Sequence, residues 1–223
     1  MSFNPTNWLA ALLVGLSPLP PKSDPNKPAV ILVHGIYDSG EKMLWLAHRF
    51  ELAGYETFCP SIIPSNGDLT IVDAATQLDE KVLARFGNSR PLHVVGFSMG
   101  GLIARQWLVK FPVRQRVVSF ATLSAPHHGT AFANINQKPG VQDMRPGSNF
   151  LTNLATGVSL LATLHPLSIY TPLDLIILPA SSSEWSIATN QKHWALFHPW
   201  MVFSPTVAAR LLQYMGERES ISE

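Results

Sequence analysis

Short apolar, β-rich runs alternate with stretches of helical periodicity along most of this chain, and few architectures accommodate that alternation. The runs Ala29 to Val33, Thr57 to Pro60, Leu92 to Val95 and Val117 to Leu123 are separated by helical patterns near Glu41 to Leu52, Thr70 to Phe86 and Met99 to Phe111. A strand that is apolar at every position must be covered on both faces, so the pattern predicts an α/β fold with a mostly parallel central sheet and helices on both sides. With 223 residues, 46% of them apolar, the chain has material for one such core. It shows neither an internal repeat nor a low-complexity tract.

Two domain-level segments are expected: an N-terminal arm and connector at 1–27, and a globular domain at 28–223. Leu19 to Pro28 holds four prolines among polar residues and reads as a connector. Before it, Trp8 to Leu16 is apolar but too short to span a bilayer, and no Lys or Arg precedes it as in a signal peptide. From Met1 to Pro21 there is no Asp, Glu, Lys or Arg. The arm is expected to dock on the protein's own core, with a membrane interface as the alternative, because an interfacial helix normally carries a basic face.

The formal charge of +1, without a block of Lys and Arg, excludes the electrostatic footprint of a nucleic-acid binder. Charged residues make up 14% of the chain, a low share that leaves more apolar surface to be hidden or used. The one cysteine, Cys59, reads as a buried small hydrophobe and permits no intrachain disulfide. A cytoplasmic setting is expected, with peripheral membrane association as the further option.

The most specific chemical signal is Gly96-Phe97-Ser98-Met99-Gly100-Gly101, between an apolar run and a helical pattern. A serine on a sharp strand-to-helix turn holds its hydroxyl above the sheet, and small residues two before and two after let the backbone pass its neighbours. The following helix N-terminus supplies free N–H groups and positive potential. The second signal is Ile31-Leu32-Val33-His34-Gly35-Ile36, a strand running into a turn. Acyl transfer needs donors aimed at a tetrahedral oxyanion, and the backbone N–H groups of Ile36 and Met99 are the candidate oxyanion hole. His34 is expected to order this loop rather than to act as a base.

Together with Leu123-Ser124-Ala125-Pro126-His127-His128-Gly129-Thr130, these motifs resemble the small bacterial lipases and esterases of the triacylglycerol-lipase-like kind, in the α/β-hydrolase superfamily. The resemblance runs from Pro28 to about Tyr214 and implies an α/β-hydrolase fold with a short or minimal lid. Ser124, Pro126, His127 and Gly129 match the family's Thr/Ser-x-Pro-His-x-Gly-Thr stretch. Phe97 departs from it, since many relatives carry histidine before the nucleophile; altered packing is expected there.

The resemblance implies Ser98 as nucleophile, followed in chain order by an acid and a histidine that takes its proton. Outside the Pro126-to-Gly129 motif, the candidate histidines are His165, His193 and His198, and the acids in range are Asp143, Asp174 and Glu184. His198, just before the final helix near Ser204 to Tyr214, is the expected base; His193 reads as a surface residue. Asp174, after the run Leu167 to Leu173, is the expected acid, in the strand-x-Pro-x-Asp context the family shares. Glu184 is second, and Asp143 sits in what reads as a polar loop from Gln137 to Ser148.

No cofactor and no metal are expected. His127 and His128 are adjacent, so their side chains diverge, and no Asp follows Asp174 to build a calcium cage. Phe150 to Leu164 places its apolar residues near one helical face: a helix packed on the sheet, or, as the alternative, a mobile cover over an acyl pocket. The uncharged stretch Pro146 to Leu173 is then a place to look for acyl binding. The expected activity is hydrolysis of acyl-lipid esters through a Ser-His-Asp triad and an acyl-enzyme. The alternatives are an esterase or thioesterase on small soluble esters, an acyltransferase, and an inactive hydrolase-like binding module.

Overall fold

The computed structural model of the chain describes residues 9, 12–15 and 17–222. Six strands, β1 (Ala29–Val33), β2 (Thr57–Phe58), β3 (Leu92–Phe97), β4 (Val117–Leu123), β5 (Leu167–Tyr170) and β6 (Thr189–Lys192), form one sheet in the order β2-β1-β3-β4-β5-β6. Every neighbouring pair is parallel. From β1 the chain first adds a strand on one side and then, with β3, moves to the other. The reversal opens a crevice at the carboxyl ends of β1 and β3, where open α/β sheets place their sites.

The connecting helices are α1 (Leu44–Leu52), α2 (Ile71–Phe86), α3 (Met99–Lys110), α4 (Pro139–Asp143), α5 (Asn149–Thr156), α6 (Val158–Ala162) and α7 (Pro205–Ser222). Strand side chains alternate between faces. Ala29, Ile31 and Val33 of β1, with Leu92 and Val94 of β3, pack with α2, α3, α5 and α6 in one core layer. Val30, Leu32, Val95 and Phe97 pack with α1 and α7 in the other. The expected sheet with helices on both faces is therefore present, and it is parallel throughout.

Three local expectations change. The stretch Phe150 to Leu164 is two helices, broken at Gly157, where an added Cβ would lie 2.7 Å from Cγ1 of Val109 on α3. This close approach seats the pair on α3, and Phe150, Leu151, Leu154 and Leu161 are buried in the first core layer. The segment is thus packed, not a cover over a pocket.

The polar run after Gln137 contains α4, and Asp143 at its end accepts a hydrogen bond from the Ile71 N–H at 2.8 Å, holding the start of α2. The last helix continues to Ser222, well past Tyr214. Its Glu219 reaches back to the sheet layer, accepting from the Tyr55 hydroxyl at 2.7 Å and pairing with His93 Nε2 at 2.9 Å.

Of the N-terminal arm, Leu13 packs against the second core layer; the reading of docking for residues 1–8, 10, 11 and 16 lies outside the described residues. Among the described residues no helix is long and apolar enough to cross a membrane. Cys59 also packs on the second layer, and burial pushes its thiol up to about 12.

Candidate active site

Ser98 stands between β3 and α3 with φ 54° and ψ −127°, a conformation that side chains other than glycine rarely adopt. Holding it costs on the order of 1–3 kcal/mol, which the surrounding packing must offset. The turn is locked by the Ser98 N–H donating to Leu123 O at 2.9 Å and the Gly101 N–H donating to Ser98 O at 3.0 Å. Gly96 and Gly100 are required by space. A Cβ on Gly96 would lie 2.5 Å from Gly101 Cα, and one on Gly100 would lie 2.3 Å from Val33 O. The turn can therefore press against the end of β1 only because both positions lack side chains.

The loop after β1 runs beside this turn: a Cβ on Gly35 would sit 3.1 Å from Ser98 Cβ. Ile36 follows and lines the same cavity as Ser98. Met99 is the first residue of α3, so its N–H has no acceptor within the helix. The two residues named from sequence thus belong to the loop that passes beside Ser98 and to the helix that starts after it.

His34 orders that loop. Its Nδ1–H donates to Gly35 O at 2.8 Å, and its Nε2 accepts from the Ile62 N–H at 2.9 Å. Burial lowers its pKa to about 4, against a smaller opposing effect of the Gly35 carbonyl. The neutral ring is what the fold binds, so its stabilising contribution is complete above the unfolded value near 6.5 and is lost as pH falls through about 4. Wild-type stability, measured by denaturant unfolding between pH 6.5 and 4, is expected to fall with acid. His34→Gln should remove about one proton's worth of that slope, roughly 1.4 kcal/mol per pH unit. Parallel curves for the two proteins would mean that His34 titrates alike folded and unfolded.

Asp174 lies in the turn after β5, and His198 opens the 3-10 turn His198–Phe203 that precedes α7. The structure brings them together: His198 Nδ1 is 2.6 Å from Asp174 Oδ2. The other carboxylate oxygen accepts from the Ile176 and Ile177 N–H groups, both at 2.9 Å. Burial opposes ionisation of Asp174, but the hydrogen bond and charge of His198, with the Ile177 and Ile176 N–H groups, outweigh it and hold the carboxyl below its usual range. The far nitrogen of His198, Nε2, is buried and has no hydrogen-bond partner among the described residues. His198 and Ser98 line one cavity of about 510 Å³.

The other candidates are engaged elsewhere. Glu184 accepts the Tyr170 hydroxyl, and Asp143 holds α2. His193 Nε2 pairs with Ser204 Oγ at 2.9 Å. His127 is buried, stacked on Trp185 with ring centroids 4.8 Å apart and bonded to Thr122 and Arg105. Desolvation, then the Arg105 and His128 charges, push its pKa well down. Among the described residues no three His, Cys, Asp or Glu side chains gather as a metal site.

Sequence reasoning missed most of the cavity wall. Phe132, Ala133 and Ile135 come from a 3-10 turn after β4, Val141 and Met144 from around α4, and Ile176 and Ile177 from the turn of the acid. None of these belongs to Phe150–Leu164, so the acyl-pocket reading of that segment is corrected. Phe97 contacts the candidate base, its ring centroid 4.9 Å from that of His198. Lys42 also lines the cavity although it is only 1% exposed, with its ammonium 5.2 Å from the Phe203 ring centroid and 5.9 Å from that of Phe97. Burial lowers the Lys42 pKa and Asp38 opposes the shift. Nothing in the sequence marked Lys42, which follows Glu41 at the start of a stretch that mixes charged and apolar residues.

A serine on a strained strand-to-helix turn, at the reversal of a parallel sheet covered on both faces, defines a doubly wound α/β scaffold with its candidate site at the carboxyl ends of β1 and β3. The chain belongs to the α/β-hydrolase family: the family model described as the alpha/beta hydrolase fold matches residues 28–199. Among solved structures it is similar to the mature form of the lipase BlEst2 from Bacillus licheniformis, with a TM-score of 0.69 and 16% identity over 89% of this chain and 96% of that one. Lipase B from Aspergillus fumigatus gives a TM-score of 0.70 and 19% identity over 82% of this chain and 51% of that one. A bacterial membrane phospholipase A gives 0.60 and 14%, covering 95% of this chain and 93% of that one. No curated protein matches the sequence.

Proposed function

We propose that the protein hydrolyses carboxylic esters with apolar acyl groups, through Ser98, His198 and Asp174. The observation that carries this reading is the state of His198. Its Nδ1 is held by a carboxylate at 2.6 Å, while its buried Nε2 has no partner among the described residues, and the ring lines the cavity that Ser98 also lines. A buried imidazole nitrogen without a partner costs free energy and is retained where a substrate or nucleophile uses it.

In this reading the Ser98 hydroxyl attacks the acyl carbon as His198 Nε2 takes its proton. Asp174 keeps the proton on Nδ1 and stabilises the imidazolium. The Ile36 and Met99 N–H groups hold the oxyanion. Collapse expels the alcohol, which takes the proton from His198, and leaves an acyl-enzyme. Water, deprotonated by His198, then attacks the acyl carbon, and as the acyl–Oγ bond breaks His198 returns that proton to Ser98 Oγ, releasing the acid. The apolar wall from Phe132 to Met144 and at Ile176 and Ile177 suits a hydrocarbon chain. The lipase and phospholipase neighbours support lipid esters as the substrate class.

The test is labelling of Ser98 by a fluorophosphonate, together with initial rates on p-nitrophenyl esters from short to long acyl chains. A protein that neither labels nor turns over any ester would sink the proposal. Filling the cavity tests the acyl wall. Ala133→Trp is expected to shift the preferred chain length downward and to lower kcat/KM for long-chain esters at least about tenfold, since misplaced bulk costs about 1–3 kcal/mol. Equal loss on short and long esters would place acyl binding elsewhere.

A further inference from the structure

We infer that Thr130 is a positioning residue whose hydroxyl acts on Asp174 through a single peptide group and so sets the Asp174–His198 pair; the inference rests on the ester-hydrolase reading. Thr130 is buried in the loop after β4, and its hydroxyl has a defined direction. Oγ1 accepts from the Leu178 N–H at 2.9 Å and from the Phe132 N–H at 3.3 Å, which uses both of its lone pairs. Its own proton therefore goes to Ile176 O, 2.7 Å away. That carbonyl and the Ile177 N–H belong to one trans peptide group, in which the two dipoles are aligned. The Ile177 N–H donates to Asp174 Oδ1 at 2.9 Å, and Asp174 Oδ2 faces His198 Nδ1 at 2.6 Å. The Thr130 hydroxyl, the peptide, the carboxylate and the imidazole thus form one chain of hydrogen bonds whose members polarise one another. By strengthening the donor on Oδ1, Thr130 keeps the carboxylate turned with Oδ2 toward the base.

The stretch that ends in Thr130 is anchored without help from the acid. A guanidinium can only donate, so the contact of Arg105 Nη1 with His127 Nδ1 at 3.2 Å leaves the His127 ring proton on Nε2, facing Thr122 Oγ1 at 3.0 Å. Thr122 donates in turn to Ser168 Oγ at 3.2 Å, and Ser168 to Ser183 O at 2.7 Å. The root of the loop is thereby tied to α3, β4 and β5. Gly129 turns the chain with φ 89°, where a Cβ would lie 2.7 Å from Pro146 N, and the Thr130 N–H donates to Met144 O at 2.8 Å. His127 is then the root, Gly129 the corner and Thr130 the pin, which gives this stretch of sequence a part in the reaction. Thr130 also lines the cavity, so contact with substrate is the competing role.

Thr130→Val separates the two roles, because it keeps the shape of the side chain and removes the hydroxyl. On p-nitrophenyl butyrate, kcat is expected to fall about tenfold, the scale of one lost hydrogen bond beside a charged group, with KM unchanged. The downfield proton resonance of His198 Nδ1–H, assigned by its loss in His198→Ala, should shift in Thr130→Val. Thr130→Ser keeps the hydroxyl and should restore both kcat and the resonance. Thr70→Val makes the same chemical change at the start of α2, where the hydroxyl accepts from the Asp73 N–H at 3.1 Å, and should lower stability without moving either readout. The inference falls if wild type lacks the downfield proton, or if Thr130→Val keeps its kcat or leaves the resonance in place. It falls equally if KM rises as kcat drops, if Thr130→Ser is as impaired as the valine variant, or if Thr70→Val slows the reaction as much. Thr130→Ala takes the place of a valine variant that does not fold; if neither folds, the hydroxyl holds the fold rather than the pair, and the inference is overturned. The resonance is read without turnover. A shifted resonance in a protein that hydrolyses no ester overturns the activity alone, whereas ester hydrolysis untouched by Thr130→Val overturns the link alone.

Discussion

Ser98→Ala is expected to fold as wild type does and to lose turnover of every ester by about a million-fold, the loss seen when another serine hydrolase is stripped of its nucleophile. The reason is local. Ser98 Oγ is the proposed attacking atom, and the turn that presents it is held by backbone contacts, from its own N–H to Leu123 O and from Gly101 N–H to its carbonyl, which alanine keeps. Alanine also meets no new steric obstacle, because it replaces one Cβ-bearing residue with another at the same strained φ. Thermal unfolding should therefore move little while the rate collapses. Retention of more than about a thousandth of wild-type activity would point to a different nucleophile.

Asp174→Asn is expected to cost on the order of ten-thousand-fold in kcat with little change in KM. Asp174 now accepts from His198 Nδ1 at 2.6 Å. An amide facing that nitrogen can donate to it, which stabilises the tautomer with the proton on Nε2. A histidine in that form cannot take the serine proton. The two backbone donors at Ile176 and Ile177 still have an oxygen to bind, so the turn should persist. Glu184→Gln and Asp143→Asn serve as comparisons and should change kcat by no more than a few-fold, because one carboxylate accepts from Tyr170 and the other holds the start of α2. If Glu184→Gln costs more than Asp174→Asn, the acid has been assigned to the wrong residue.

Much of the sheet was legible because its central strands carry a strong one-dimensional signal. β1, β3 and β4 are apolar along nearly their whole length, since each is covered on both faces. β6 is different. Its sequence, Thr-Asn-Gln-Lys, lies at the sheet edge with mostly exposed side chains, so no apolar run announces it and only its backbone bonds to β5 make it a strand. The break at Gly157 was equally hidden. Apolar spacing from Phe150 to Leu161 fits one helix, and the reason for two is the close passage of the backbone over Val109, a contact distant in sequence.

The candidate site divides in the same way. Ser98 was marked by its neighbours in sequence, because the sharp turn needs small residues at Gly96 and Gly100, and Asp174 and His198 were reached through chain order and resemblance. Pairing of Asp174 with His198 across 24 positions, the seat of Phe97 against the His198 ring, and the burial of Lys42 beside Phe97 and Phe203 depend on how loops from β1, β5 and β6 converge.

By itself the sequence determined the layered α/β architecture and the position of the strained serine turn, because burial on two faces and tight local geometry both write themselves into neighbouring residues. Only the tertiary structure decided which side chains wall the cavity and which carboxylate meets the histidine. Those outcomes depend on contacts between segments far apart in the chain, and no local period or composition encodes the distance between two loop tips.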